Sequence, residues 1–192
     1  MTNIYSKKLI GKNFFYLEIC YLFIAGLLGG LVFSNSWFIP IIIIALNYLY
    51  LNVIEKNYSL SKIFIYGSIF GTGTFLSGLY WIANAFEFVL PNGIYIGLIS
   101  IIFLTIALSV FYGFSCVAIR YIYNIWRLNI VGFAIIFSVF LSLGEYLRGS
   151  ILGGFPWNIM GYIWTDSLVM MQSLSLIGIY GLGLFTFLSA TS

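Results

Sequence analysis

The side chains able to do chemistry in this sequence are few, and the most informative of them stand together. Glu145 and Arg148 lie three residues apart, a spacing that puts both on one helix face, where a carboxylate and a guanidinium can pair. Ionisable groups near hydrocarbon are costly and are kept when paired or functional. Two roles fit: a local ion pair that anchors the start of the next loop, or an arginine that holds a lipid headgroup phosphate. Directly after them runs Gly153-Gly154-Phe155-Pro156-Trp157-Asn158-Ile159-Met160-Gly161-Tyr162. The two leading glycines free the backbone and Pro156 restricts it, so the stretch cannot continue a helix. Phe155, Trp157 and Tyr162 then form a semi-rigid aromatic shelf at the depth of lipid headgroups. Such a shelf can prop a lipid tail, line the entry to a cleft or anchor the protein.

Other chemistry is scarce. The chain has no histidine, which removes His-based triads, His metal sites and His proton shuttles together. Cys20 and Cys116 read as small apolar packing residues, because no basic neighbour is arranged to lower the pKa of either thiol. No catalytic residue, metal ligand set or cofactor site is assigned. A net charge of +3 with scattered basic residues gives no footprint for nucleic acid.

The elements that must position this shelf follow from composition. With 62% hydrophobic and 7% charged residues and a mean hydropathy of +1.08, the chain cannot cover a water-soluble globule with polar side chains, and it reads as a membrane protein. A spanning helix takes about 20 residues. The apolar runs place six such helices at about Phe14–Phe33, Trp37–Ile54, Ile63–Ala83, Ile94–Ile119, Asn129–Leu147 and Leu168–Ala190. Short loops join them, including Glu55-Lys56-Asn57-Tyr58-Ser59, a Pro91-Asn92-Gly93 turn and Tyr121 to Leu128. The fold class is all-α, a polytopic membrane bundle of about six transmembrane helices, with residues 1–192 as one transmembrane domain.

Charge placement orients the bundle, since short cytoplasmic loops retain Lys and Arg. With the N-terminus inside, Lys7, Lys8, Lys12, Lys56, Lys62, Arg120 and Arg127 fall on the cytoplasmic side and only Arg148 falls outside. Both ends of the chain are then cytoplasmic, and the aromatic loop faces away from the cytoplasm with Glu87, Glu145 and Asp166 near it. The first apolar run is too long for a signal-peptide core and lacks a cleavage pattern, so it is expected to remain as a helix. Leu17-Glu18-Ile19-Cys20 fails as a lipid-attachment box, because the cysteine precedes the apolar run and a glutamate intrudes. In the third span, Gly67 and Gly71 share one face, which suits close approach of a neighbouring helix, and Gly178, Gly181 and Gly183 repeat the device in the sixth. Tyr80 and Trp81 suit the outer interface.

The run Glu145-Tyr146-Leu147-Arg148-Gly149-Ser150-Ile151-Leu152-Gly153-Gly154-Phe155-Pro156-Trp157, followed by Gly161-Tyr162, resembles the signature of bacterial apolipoprotein N-acyltransferases. Members of that family carry E-x-L-R-G leading into G-F-P-W and then G-Y between their fifth and sixth transmembrane helices. The likeness extends from Trp37-Phe38-Ile39-Pro40, through the glycine-spaced third helix closing on Trp81-Ile82, to Gln172 and Gly178-Ile179-Tyr180-Gly181. The resemblance implies a reaction at the outer face of the bacterial inner membrane, in which an acyl group passes from a phospholipid donor to the diacylglyceryl cysteine of a lipoprotein acceptor. It also implies substrate-binding roles for Glu145, Arg148, Phe155, Pro156, Trp157, Gly161 and Tyr162. In the family, chemistry belongs to a nitrilase-like domain with a Glu, Lys and Cys triad whose thiolate takes the acyl group first. That domain and the family's seventh and eighth helices are not in these residues, and Gly153 departs from a frequent Ser or Thr. These residues are therefore expected to be inactive alone and to serve as the membrane half of a split acyltransferase beside a separately encoded nitrilase-like half. The alternative is a truncated, non-catalytic remnant or a small scaffold or transport module.

Overall fold

A computed structural model describes residues 2–54, 58–89 and 91–191, with side chains described from Phe15 onward except that of Leu152. The side chains of Lys7, Lys8 and Lys12, and the whole of Glu55, Lys56 and Asn57, lie outside the described residues, so the expectations placed on them stand as sequence readings. The described residues contain helices and turns and no strand. The helices are α1 (Thr2–Gly30), α2 (Ile39–Ile54), α3 (Leu60–Leu79), the short α4 (Ile82–Ala85), α5 (Gly93–Trp126), α6 (Ile130–Ser150), the short α7 (Leu168–Gln172) and α8 (Leu174–Ser189). The all-α bundle expected from the apolar runs is what forms.

Among the described residues, four stretches are long and apolar enough to cross a membrane: Phe15–Phe33, Ser36–Ile54, Gly93–Trp126 and Ile130–Ser150. A fifth is met if Leu60–Leu79 and Ile82–Phe88, bent by 51°, count as one span. The sixth expected span is broken. Ser173 separates α7 from α8, and Gly178 takes φ 67° and ψ 176° inside α8, a backbone state that glycine alone adopts readily. The fourth expected span also runs further than its apolar core, through Tyr121 to Trp126, because amphipathic aromatics continue the helix until Arg127 closes it at φ 45°. Side chains such as Phe103, Phe114, Ile102 and Ile106 of α5 are exposed, as hydrocarbon surroundings permit.

α3 lies at the centre, with α1 and α5 packed on its two sides. Glycine makes both approaches close. A Cβ at Gly67 would sit 2.7 Å from the Tyr112 carbonyl oxygen, and one at Gly71 would sit 3.2 Å from the Ser109 Cα, so that face meets α5. Gly73 points the other way, where a Cβ would lie 2.8 Å from the Leu27 nitrogen of α1. Small-residue faces of this kind let backbones pack by van der Waals contact where no hydrophobic force separates helix from lipid. α2 packs on α1, α6 on α5 and α8 on α6. Asn47 of α2 donates to the Ala190 carbonyl at 2.7 Å and closes the ring.

At the end of the bundle opposite the aromatic loop, buried Glu18 of α1 accepts hydrogen bonds from Tyr58, at 3.1 Å, and from Tyr66, with Lys62 Nζ at 3.8 Å. Lys62 also stands 3.3 Å from the Tyr58 ring centroid. Arg120 of α5 donates to the carbonyls of Val53 and Ile54 at 3.0 and 3.1 Å, satisfying the last turn of α2. Cys20 is exposed on α1, while Cys116 is buried against α3, and neither forms a disulfide.

Candidate functional site

The aromatic loop begins where α6 stops. Ile151 turns extended, and Gly153 and Gly154 take φ 86° and 73°, which ends the helix and reverses the chain. The Phe155 N–H then returns to the Arg148 carbonyl at 2.9 Å. Asn158, at φ 54°, makes a second turn, after which Met160–Trp164 forms a short 3-10 helix against α8.

Arg148 and Glu145 hold this path from beneath. Arg148 is buried, and its Nη1 donates to the carbonyls on both sides of Pro156, Phe155 at 2.7 Å and Trp157 at 2.6 Å. Nη2 reaches the Asn158 carbonyl at 3.3 Å, and the guanidinium carbon lies 4.8 Å from the Phe75 ring centroid of α3. A planar fork can satisfy three diverging acceptors in this way, as an ammonium cannot. Glu145, also buried, accepts the Met160 N–H on both carboxylate oxygens, at 3.0 and 3.1 Å. Among the described residues no ion pair within 4.0 Å joins the two, which corrects the expected pairing. The reason is local. A non-helical loop buried against a helix leaves backbone groups without partners, and these two side chains supply them.

The seven residues singled out from sequence thus separate by position. Glu145, Arg148 and Gly161 are buried beneath or within the loop, Phe155 is half-buried, and Pro156, Trp157 and Tyr162 are exposed. Gly161 permits packing: its Cα faces the Ile179 backbone of α8, and any side chain would collide there. The Phe155 and Trp157 rings lie 5.4 Å apart, tilted by 39°, and Trp157 keeps 51% of its surface exposed. Beside the loop an apolar groove of about 440 Å³ runs between α5 and α6, walled by Phe111, Phe114, Ala118, Phe140, Leu143 and Leu147, and reaches Ile151 at the loop itself.

Residues 25–192 match the family described as the apolipoprotein N-acyltransferase N-terminal domain. The chain belongs to this family. It is 34% identical over 167 residues to the apolipoprotein N-acyltransferase of Rickettsia bellii, covering 87% of this chain and 32% of that protein. The Rickettsia typhi enzyme is 32% identical over 170 residues, covering 88% and 33%. That of Rhodopseudomonas palustris is 42% identical over 127 residues, covering 61% and 21%. The chain therefore spans about a third of the length of the relatives it matches across most of its own length. It is an acyltransferase-related, multi-pass bacterial membrane module.

Sequence reasoning missed several contributors. The sequence marks Asn158 only as part of the loop, yet its side chain occupies the notch left by Gly78 of α3. Gly183 of α8 leaves room for the Glu145 carboxylate, which would stand 3.4 Å from a Cβ at that position. Asn tolerates the left-handed region, so Asn158, two residues after Pro156, is a candidate turn residue from sequence, but no local pattern reveals that Gly78 faces it.

Proposed function

We propose that this chain is the membrane portion of a phospholipid:apolipoprotein N-acyltransferase. It binds a phospholipid acyl donor and a lipoprotein acceptor at the loop end of the bundle, for acyl transfer to the N-terminal diacylglyceryl cysteine. One observation carries the reading: a rigidly buttressed loop that nevertheless presents Pro156, Trp157 and Tyr162 outward, in a chain of this family. A loop serving only as an anchor needs exposed aromatics but has no use for a buried arginine fork and carboxylate that fix its backbone. Preorganised contacts of this kind suit a surface that must hold a substrate in one position. The apolar groove between α5 and α6, which reaches the loop at Ile151, is placed to take an acyl chain.

The buried pair then acts by positioning, while Phe155, Pro156, Trp157 and Tyr162 make the contacts. Orientation follows the basic residues, with both ends of the chain in the cytoplasm and the loop on the outer side of the inner membrane. Acyl transfer needs an activated nucleophile. Cys116 is buried, and Cys20 lies on α1 away from the loop, so the nucleophile belongs to a nitrilase-like half acting with this chain.

The test supplies that half. The 192 residues are produced in membranes with and without the remaining two thirds of the Rickettsia bellii relative, and acylation of a diacylated lipopeptide is followed by mass spectrometry. The combination should yield the triacylated product and the chain alone should not. Both parts present and no product would favour a remnant or a scaffold.

A further inference from the structure

The last turns of α3 meet the aromatic loop at two points on one helix face. Phe75 packs against the Arg148 guanidinium, and Gly78, three residues on, packs against Asn158. A Cβ at Gly78 would overlap the Asn158 amide nitrogen and stand 3.3 Å from its Cγ, so the asparagine fills the space that a side chain at 78 would take. Gly78 lies inside α3 without a positive φ, and glycine is a poor helix former, so its use there is the room it leaves. Asn158 is 8% exposed, and its Nδ2 is buried with no hydrogen-bond partner among the described residues. That nitrogen costs the fold a buried donor left unmade. What Asn158 supplies is shape: a backbone at φ 54°, which asparagine tolerates better than most residues, and a flat amide that fits the notch.

The consequence falls on the neighbouring Trp157. Arg148 of α6 holds the carbonyls of Phe155 and Trp157, which ties the loop backbone to one helix. Contact with a single helix leaves the loop free to tilt about it. Asn158 adds a contact on a second helix, and the two together fix the direction of the residue between them. α3 is a firm reference for this purpose, since Gly67 and Gly71 hold it against α5 and Gly73 holds it against α1. A ring that meets a substrate gains from such a constraint, because small misplacements cost rate steeply.

We propose that Asn158 is a positioning residue for acyl transfer: keyed into the Gly78 notch of α3, it sets the direction in which Trp157 meets the substrate. The assignment rests on the reading of the loop as a substrate-holding surface, and it adds a buried residue and a helix that act through Trp157.

The test is a steric rescue in the 192 residues combined with the remaining two thirds of the Rickettsia bellii relative, with kcat and KM for a diacylated lipopeptide and membrane abundance measured together. Gly78→Ala improves the helix former in α3 but pushes Asn158 out of the notch, and it should lower kcat about ten- to a hundredfold with KM and abundance little changed. Asn158→Gly keeps the φ 54° backbone without a side chain, and alone it should lower kcat only about two- to fivefold. The double variant Gly78→Ala/Asn158→Gly should then return to the level of Asn158→Gly, because the other close contact of the new Cβ, Phe33 Cδ2 at 3.1 Å, belongs to a side chain that can give way. Gly71→Ala, which crowds Ser109 of α5 instead, should gain nothing from Asn158→Gly. Gly78→Ala as active as the unmodified chain, or a loss that Asn158→Gly does not relieve, overturns the role of Asn158 alone. Abundance falling in step with transfer also overturns it, by showing a role in folding, and so does a raised KM at constant kcat, which marks lost uniform binding and not lost alignment. No product from the unmodified combination overturns this assignment and the acyl-transfer reading together.

Discussion

Replacing Arg148 tests whether one buried guanidinium sets the shape of the loop. In Arg148→Met the carbonyls of Phe155 and Trp157 lose donors at 2.7 and 2.6 Å, and that of Asn158 loses a weaker one at 3.3 Å. A buried acceptor left without a partner costs about 1–3 kcal/mol. Two strong contacts and one weak one then give a loss of about 3–5 kcal/mol, in the range seen when a buried charge-assisted network is cut. Arg148→Lys keeps the charge but replaces the fork with one compact head, so it can serve one or two of the three carbonyls and should lose about 1–3 kcal/mol. The readout is hydrogen exchange by mass spectrometry on protein in lipid nanodiscs. The Phe155 N–H is bound to the Arg148 carbonyl and the Met160 N–H to Glu145, so both report on loop opening. At about 1.4 kcal/mol per factor of ten, exchange over residues 154–160 should quicken by about ten- to a hundredfold in Arg148→Lys and by more in Arg148→Met, with α6 still protected. Exchange near the wild-type rate in both variants would refute the claim that the guanidinium holds the loop. A lysine variant as well protected as wild type would show that charge, and not the forked geometry, is what matters.

Three further outcomes follow from the same geometry. In a Cys20→Ser background, a cysteine at exposed Thr165 should react with a membrane-impermeant thiol reagent in intact spheroplasts, and labelling only after lysis would reverse the orientation; Asn158, nearby but 8% exposed, is a poor probe of the same face. Leu143→Trp, which puts a larger ring into the groove between α5 and α6, should lower acyl transfer by the combined halves about tenfold at unchanged abundance, as loss of a buried apolar contact of roughly 1–2 kcal/mol would; undiminished transfer would take the acyl chain out of that groove. Glu145→Gln keeps one acceptor for the Met160 N–H and should quicken exchange of that amide far less than Glu145→Ala; equal effects of the two would deny the carboxylate its anchoring role.

The bundle was legible because its signal is local. Apolar runs, short polar breaks and glycines spaced by four follow directly from what a bilayer and close helix packing demand, and Gly67 and Gly71 do face α5. The loop was legible for the same reason, since Gly153, Gly154 and Pro156 lie within four residues of one another. The pairing of Glu145 with Arg148 was not, because spacing reports which face two side chains share and not what else competes for them; the nearby backbone of a non-helical loop wins. The break in α8 was hidden because glycine on an apolar helix signals close packing and a kink alike, and only tertiary context decides. The Glu18 cluster stayed invisible since its partners Tyr58 and Tyr66 come from 40 and 48 residues away.

The central claim is that the aromatic loop holds substrate for acyl transfer, and Trp157 tests it most directly. A chimera in which residues 25–192 replace the matching third of the Rickettsia bellii relative keeps the remaining two thirds in place. Acylation of a diacylated lipopeptide from phospholipid is then compared for this chimera and its Trp157→Ala variant at measured membrane abundance. Trp157 is half exposed and outside the core, so its removal should leave abundance unchanged and lower transfer about tenfold or more, the scale of losing an aromatic contact of roughly 1–3 kcal/mol. Full transfer by the Trp157→Ala chimera, or abundance that falls in step with transfer, would contradict the account.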